Sequence, residues 1–312
     1  MYRIGIDLGG TNIAAGVVND KFEIIGSAKC KTALPRPAEA IIADMARVAR
    51  EAAAAAGLDW DQIAGVGVGC PGTCNQENGL VEYSNNLRFD HVPLKAMLEE
   101  LLGKPVAVDN DANVAALGEA VAGAAKGAAA AVCVTLGTGV GGGIIIDGKI
   151  YSGSNYGGAE LGHTVVTVGG EECTCGRKGC WEAYASATAL ISQTRRKMEQ
   201  YPGSLMWQLT ESGRRISGRT AFDAMRAGDP AGTQVVEEYI YYIACGLINI
   251  INIFQPEILC IGGGICNEGE TLTRPLMKWI EAERYTRYAE KQTRLCIAAL
   301  GNDAGIIGAA AL

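Results

Sequence analysis

Arg3–Val18 reads RIGIDLGGTNIAAGVV. Arg3–Asp7 is an apolar run closed by a carboxylate, LGGTN is a glycine turn, and Ile13–Val18 is a second apolar run. Runs of that length about a glycine turn predict paired strands. Asn19–Asp20–Lys21 is a tight connection into a third strand, Glu23–Ala28. The same order returns near residue 135. Ala131–Leu136 is an apolar strand, GTGVGG is the turn, and Gly143–Ile146 is the next strand. Asp147–Gly148 has the chemistry of a two-residue hairpin turn into Lys149–Tyr151. No residue-by-residue repeat accompanies this echo. The architecture alone predicts a duplicated domain with a cleft between the copies.

The remaining segments alternate. Ile41, Met45, Val48 and Ala52 fall at helical spacing, and Gly57 ends that helix. Ile63–Val68 is a strand entering CPGTCN, Val92–Leu102 a short helix, Val106–Val108 a strand, and Ala112–Ala125 an alanine-rich helix. Helices are expected over Trp181–Gln200, Thr220–Ala227, Ala231–Phe254, Thr271–Tyr288 and Gly301–Leu312. Glu257–Ile261 and Arg294–Ala299 read as strands. Strands alternating with helices define an α/β fold. The division expected is an N-terminal domain over 1–118, joined by the helix 301–312, and a C-terminal domain over 119–300.

The chain has 312 residues, 48% of them hydrophobic, enough for two cores. Its net charge of −7 comes without a basic stripe, so no nucleic-acid partner is expected. No apolar run is a comfortable membrane span, because Asn249 and Asn252 interrupt the longest one. The N-terminus lacks the pattern of a signal peptide. Eleven cysteines, an odd number, add to the expectation of a reducing cytoplasm. Glycine, at 42 residues, is about twice its usual share and clusters in loops.

Gly137, Gly139 and Gly142 match G-x-G-x-x-G, but a strand follows where a dinucleotide fold needs a helix. The protein-kinase companions V-A-I-K, H-R-D and D-F-G are missing, as is the P-loop signature. What remains are hairpin tips able to offer backbone N–H groups to a phosphate. Gly9, Gly10, Thr11 and Asn12 form one, and Gly137, Thr138 and Gly139 the other. Gly263 and Gly264 close a buried strand. Each turn alone could be merely a glycine hairpin; together they point to a nucleotide. Asp7, at the end of the first strand, could hold Mg²⁺ directly or through water.

Glu160–Glu182 reads ELGHTVVTVGGEECTCGRKGCWE. His163, Cys173, Cys175 and Cys180 make a complete ligand set for a closed structural zinc site. A disulfide or simple burial are the competing readings. Zinc would bind one ring nitrogen of His163 and leave the other facing outward. The loop then presents His163, Glu160 and Glu182 together.

In DNDAN (109–113) four polar side chains crowd the end of an apolar strand. One of them is expected to cap the following helix. Asp111 is the candidate general base, since in phosphoryl transfer an aspartate accepts the attacking hydroxyl's proton. Asn110 can donate to and accept from a sugar hydroxyl. His91, in FDHVP, is expected at the surface.

DLGGTN, DNDAN, LGTGVGGG, ELGH…CTCGRKGCWE and the closing GNDAGIIGAA together resemble the ROK family of bacterial sugar kinases and sugar-responsive repressors, over essentially the whole chain. CWEAYASATAL looks most like its glucokinase members. The resemblance implies an actin-like ATPase (ribonuclease H-like) fold, two α/β domains around a central cleft. It implies ATP and Mg²⁺ as cosubstrates and a sugar hydroxyl, O6 in glucose, as acceptor. It assigns Asp111 as base, and Gly72, Asn110, Glu160, His163 and Glu182 as sugar contacts, with Asn86 a further candidate. His163, Cys173, Cys175 and Cys180 match the zinc ligands. Asp7, Gly9–Asn12 and Gly137–Gly139 match the phosphate loops, and Gly263 and Gly264 the adenosine side. Such kinases are commonly homo-oligomers, dimers or tetramers. Cys70 and Cys74, flanking Pro71–Gly72, match no role. Other acceptors stay open: N-acetylmannosamine, N-acetylglucosamine, fructose or allose. A family repressor would need a helix-turn-helix ahead of the first strand, which begins at Arg3. Retention of Asp111 argues against a sensor that only binds sugar.

Overall fold

The computed structural model describes all 312 residues. It opens with β1 (Tyr2–Leu8), β2 (Asn12–Val18), β3 (Ile24–Lys31) and α1 (Ala38–Ala55). β4 (Ile63–Cys70) leads into three short strands, β5 (Thr73–Asn75), β6 (Leu80–Ser84) and β7 (Phe89–Val92). Then come α2 (Leu94–Leu102), β8 (Val106–Asn110) and α3 (Asp111–Val121). β9 (Ala130–Leu136), β10 (Val140–Ile146) and β11 (Lys149–Ile150) repeat the opening order. The helices α4 (Glu182–Ala185), α5 (Ala187–Gln200), α6 (Met206–Leu209), α7 (Thr220–Arg226) and α8 (Pro230–Phe254) follow. The chain ends with β12 (Ile258–Gly262), α9 (Glu270–Glu283), β13 (Arg294–Ile297) and α10 (Ala304–Ala311).

Two five-stranded sheets result, ordered β3-β2-β1-β4-β8 and β11-β10-β9-β12-β13. Both run third, second, first, fourth, fifth in their own strand sequence, so the echo seen at the glycine turns extends through both sheets. In the first, β1–β2 and β2–β3 are antiparallel, while β1–β4 and β4–β8 are parallel. Two compact units emerge. One comprises Met1–Cys133, Gly142–Ala159 and Ala298–Leu312; the other comprises Val134–Gly141 and Glu160–Ile297. β9 and β10 are thus divided between them.

In the first unit α1 buries Ile41, Ile42, Met45, Val48, Ala49 and Ala52 on one stripe against Ile4, Ile6 and Leu8 of β1. Each large apolar side chain buried there is worth roughly 1.5–3 kcal/mol over exposure. α10 packs differently, backbone on backbone. A Cβ at Gly5 of β1 would lie 1.8 Å from the Ile306 carbonyl oxygen, and one at Gly308 would lie 1.8 Å from that of Val114 in α3. Only glycine permits that approach, which explains the small-residue sequence of the last helix.

Several elements differ from the sequence reading. The strands β5, β6 and β7 form their own three-stranded sheet, in a stretch for which the sequence predicts no strand. His91 sits on β7, exposed as expected, with Nδ1 2.7 Å from Asp90 Oδ1. The helix expected over 181–200 is broken at Ser186, whose ψ of 162° is extended and whose Oγ accepts the Ala189 amide to start α5. α9 stops at Glu283 because the Tyr285 amide donates to Asn252 Oδ1 on α8 instead of to its own helix.

Candidate active site

In the first unit, the carboxyl ends of β1, β4 and β8 lie side by side. Asp7 pairs in register with Gly69, Gly69 with Asp109, and Cys70 with Asn110. Parallel strands ending together are where ligands bind in open α/β sheets. Gly305 of α10 closes on the same spot, its Cβ position only 2.9 Å from Asp7 Cγ. Asp7 is enclosed enough that burial, helped by the charge of Asp111, lifts its pKa to about 6. Burial raises the Asp111 carboxyl too, while the Ala112 amide, donating to its Oδ1 at 2.9 Å, holds part of that rise back.

Asn110 is the cap of α3. Its Oδ1 accepts from the amides of Ala112 and Asn113, and its Nδ2 donates to the Gly72 carbonyl at 3.0 Å. Gly72 has φ of 110°, and a Cβ there would fall 2.1 Å from the Tyr83 carbonyl oxygen. No other residue fits the turn that brings this carbonyl to Asn110. Asp109 is a residue whose role the sequence did not reveal. It is 2% exposed and accepts from the Asn110 amide at 2.6 Å, from Asn113 Nδ2 at 3.1 Å and from Gln76 Nε2. Those bonds anchor the base-bearing turn to β8. Asn86 lies exposed in the turn joining β6 to β7. Cys70 and Cys74 are buried free thiols that donate to backbone carbonyls, Cys74 Sγ to the Cys70 oxygen at 3.6 Å.

Gly9, Gly10, Thr11 and Asn12 join Asp7 on a cavity of about 1260 Å³ within this unit, together with Lys29, Lys31, Asn302 and Asp303. Lys31 Nζ donates to Asn12 Oδ1 at 2.9 Å.

In the second unit the ligand atoms of His163, Cys173, Cys175 and Cys180 all lie within 4.8 Å of one another. Cys173 Sγ is 3.6 Å from His163 Nδ1, and Cys175 Sγ is 3.6 Å from Cys180 Sγ. All three thiols are free. A Zn–S bond of about 2.3 Å gives tetrahedral edges of roughly 3.8 Å, so the donor set and its spacing fit zinc. His163 Nδ1 faces the thiols, and Nε2 is turned toward Glu160 Oε2, 4.0 Å away. Gly179, with φ of 81°, presses against Thr167 and completes the knuckle.

Glu182 is placed differently from a carboxylate aimed only at ligand. Its Oε2 accepts the Val140 amide at 2.9 Å, and its Oε1 lies 3.4 Å from Thr174 Oγ1. It thereby ties the knuckle to the glycine turn between β9 and β10. Gly263, at the end of β12 with φ of 102°, lies against Leu136, its Cβ position 2.1 Å from that carbonyl oxygen. Gly264 opens the 3₁₀ turn that follows.

Nearly the whole chain, residues 3–312, matches the ROK family model, and the protein belongs to the ROK family. It has the actin-like ATPase fold of two domains. It is 38% identical to a glucokinase of Thermotoga maritima, over 99% of this chain and 96% of that one. Among solved structures it is similar to a ROK family glucokinase from Streptomyces griseus in complex with glucose and AMPPNP. That match has 35% identity and a TM-score of 0.82, and covers 100% of this chain and 98% of the other. A ROK hexokinase from Thermus thermophilus gives 32% identity and a TM-score of 0.83, over 99% and 97% of the two chains.

Proposed function

We propose that this protein is an ATP-dependent glucokinase, transferring the γ-phosphoryl group of ATP to O6 of glucose. The observation that carries the reading is Asp111. It is a half-buried carboxylate of raised pKa at the shared ends of three strands, on a turn held by Asp109 and Asn110. Full-length similarity to glucokinases supports the choice of acceptor.

Asp111 accepts the proton as the sugar hydroxyl attacks phosphorus. Its raised pKa brings it closer to the operating range of a general base. Asn110, with one amide hydrogen on Gly72, keeps its second for a sugar hydroxyl. His163 Nε2, Glu160 and Glu182 supply further polar groups from the knuckle, and Asn86 a contact from the β6–β7 turn. The amides of the two glycine turns receive the ATP phosphates, and Gly263 and Gly264 flank the adenosine. Asp7 is the residue that would hold Mg²⁺, which neutralises charge on the transferring phosphates. His163, Cys173, Cys175 and Cys180 would hold zinc, whose four protein ligands make it structural.

The functional domains of this reading, 1–118 with 301–312 and 119–300, each hold one five-stranded sheet whole, whereas the compact units assign residues 119–133 and 142–159 to the first. The reading places the protein in the cytoplasm as a homo-oligomer, and the net charge of −7 without a basic stripe speaks for small-molecule partners over nucleic acid. No helix is long and apolar enough to cross a membrane.

The test is ATP consumption with Mg²⁺ against a panel of hexoses and N-acetylhexosamines. Turnover on glucose far above the rest supports the assignment. Preference for another sugar keeps Asp111 and changes the acceptor. Sugar binding without turnover on any of them overturns the catalytic reading.

A further inference from the structure

We infer that Thr32 and Thr188 are positioning residues that aim the amides of the two glycine turns at the ATP phosphates, an inference that rests on the reading of those turns given above. Each turn is fastened in the same manner. In the first unit Thr32, fully buried after β3, donates its Oγ1 to the Gly9 carbonyl at 2.6 Å and its backbone amide to the Thr11 carbonyl at 3.0 Å. In the second unit the Ala187 amide donates to the Gly137 carbonyl at 2.8 Å, and Thr188 Oγ1 to the Thr138 carbonyl at 2.8 Å. One threonine hydroxyl and one backbone amide hold two turn carbonyls in each case.

The consequence follows from the planar trans peptide, in which C=O and N–H point in opposite directions. A Gly9 carbonyl held by Thr32 sends the Gly10 amide the other way. Gly137 and Thr138 carbonyls held by Ala187 and Thr188 do the same for the amides of Thr138 and Gly139. None of these three amides donates to another group of the chain. The bonds also satisfy the carbonyl oxygens, whose partial negative charge would otherwise be free to turn toward an anion. Thr188 is the second residue of α5, a helix of 14 residues capped by Ser186, so the positive end of that helix lies at the same turn. The two halves of the fold, alike in strand order, are alike in this device too, although Thr32 and Thr188 hold no equivalent place in the sequence.

Steady-state kinetics with ATP and glucose test the inference. Thr32→Val and Thr188→Val keep side-chain shape and remove the donor. Each should raise KM for ATP on the order of tenfold, the effect of losing one hydrogen bond and leaving its carbonyl unpaired. KM for glucose should stay within about twofold, and Thr→Ser at either position should restore the ATP value. An unchanged KM for ATP overturns the inference. So does a rise shared equally by glucose that serine does not reverse, since that is general loosening. Should Thr32→Val fail to fold, Thr32→Cys, which lacks the methyl group but keeps a weak donor, must give a KM for ATP above that of Thr32→Ser, and a wild-type value there overturns the role of Thr32. Wild-type protein without ATP turnover sinks both this inference and the kinase reading; an active wild type with unaffected variants sinks this inference alone.

Discussion

Asp7, at the end of β1, lies close enough to Asp111, at the start of α3, that the charge of Asp111 joins burial in lifting the Asp7 pKa to about 6. Two carboxylates at the ends of neighbouring elements are costly to keep ionised without a cation. The proposed division of labour gives one of them to Mg²⁺ and the other to the sugar proton, and it makes the pair separable by mutation.

Replacing Asp111 by Asn keeps the size and the α3 start but removes the base. Turnover should fall by at least roughly 10²–10⁴-fold, the usual contribution of a positioned base. Glucose affinity, read by calorimetry, should stay close to wild type. Wild-type turnover in this variant would remove Asp111 from the mechanism.

The acid limb of the kcat/KM profile should lie above the ordinary carboxylate range. Asp111 works only when ionised, and burial raises its pKa, so activity should drop as pH falls through that raised value and recover above it. A limb at the pKa of an unperturbed aspartate would contradict the geometry.

Asp7→Asn should cost activity and raise stability near neutral pH. A carboxyl at about 6 in the folded protein, against 3.8 ordinarily, favours folding in its protonated form. That contribution is complete below the unfolded value and is lost as pH rises through the folded one. Above pH 6 the neutral Asn therefore gains up to about 3 kcal/mol over the ionised wild type, measured without divalent cations. At pH 3 the two proteins should melt alike. Equal stability at both pH values would show that Asp7 is not strained.

Sequence and structure agree unevenly around these two residues. Asp7 and Asp111 stand out as candidates in the sequence because Asp7 closes an apolar run before a glycine turn and Asp111 lies in the polar cluster DNDAN. Asp109 was visible as a letter in DNDAN but not as an anchor, since one of its partners, Gln76, is 33 residues away. Ser186 breaks a helix inside a stretch that reads as continuous, because helical periodicity does not register one extended ψ. The sheet of β5, β6 and β7 escaped notice because its strands run only three to five residues.

Asn110→Ala removes the cap of α3 and the bond to the Gly72 carbonyl together. Loss of the cap should destabilise the protein by about 1 kcal/mol. KM for glucose should rise more than KM for ATP, because the Gly72 turn loosens on the sugar side. A selective effect on ATP would misplace Asn110.

Cys175→Ser should lose metal and activity together. Elemental analysis should find about one zinc per wild-type chain and less in the variant, with a lower Tm, because the ligand set is closed at four. An active variant free of zinc would show that the knuckle stands without it.

By itself the sequence determined which segments are strands about a glycine turn, that this unit occurs twice, and that three cysteines and a histidine stand at zinc-knuckle spacing. These are short-range properties, governed by periodicity and by the chemistry of neighbours in the chain. Only the tertiary structure decided which carbonyls Thr32 and Thr188 hold, that Glu182 spends an oxygen on Val140, and that Gly5 and Gly308 let α10 rest on β1 and α3. Those contacts join residues from 21 (Thr11 and Thr32) to more than 300 positions apart. Which partners meet over such separations is settled by packing, because a buried carbonyl or carboxylate takes whatever donor the fold brings within reach, and nothing local in the chain names that donor.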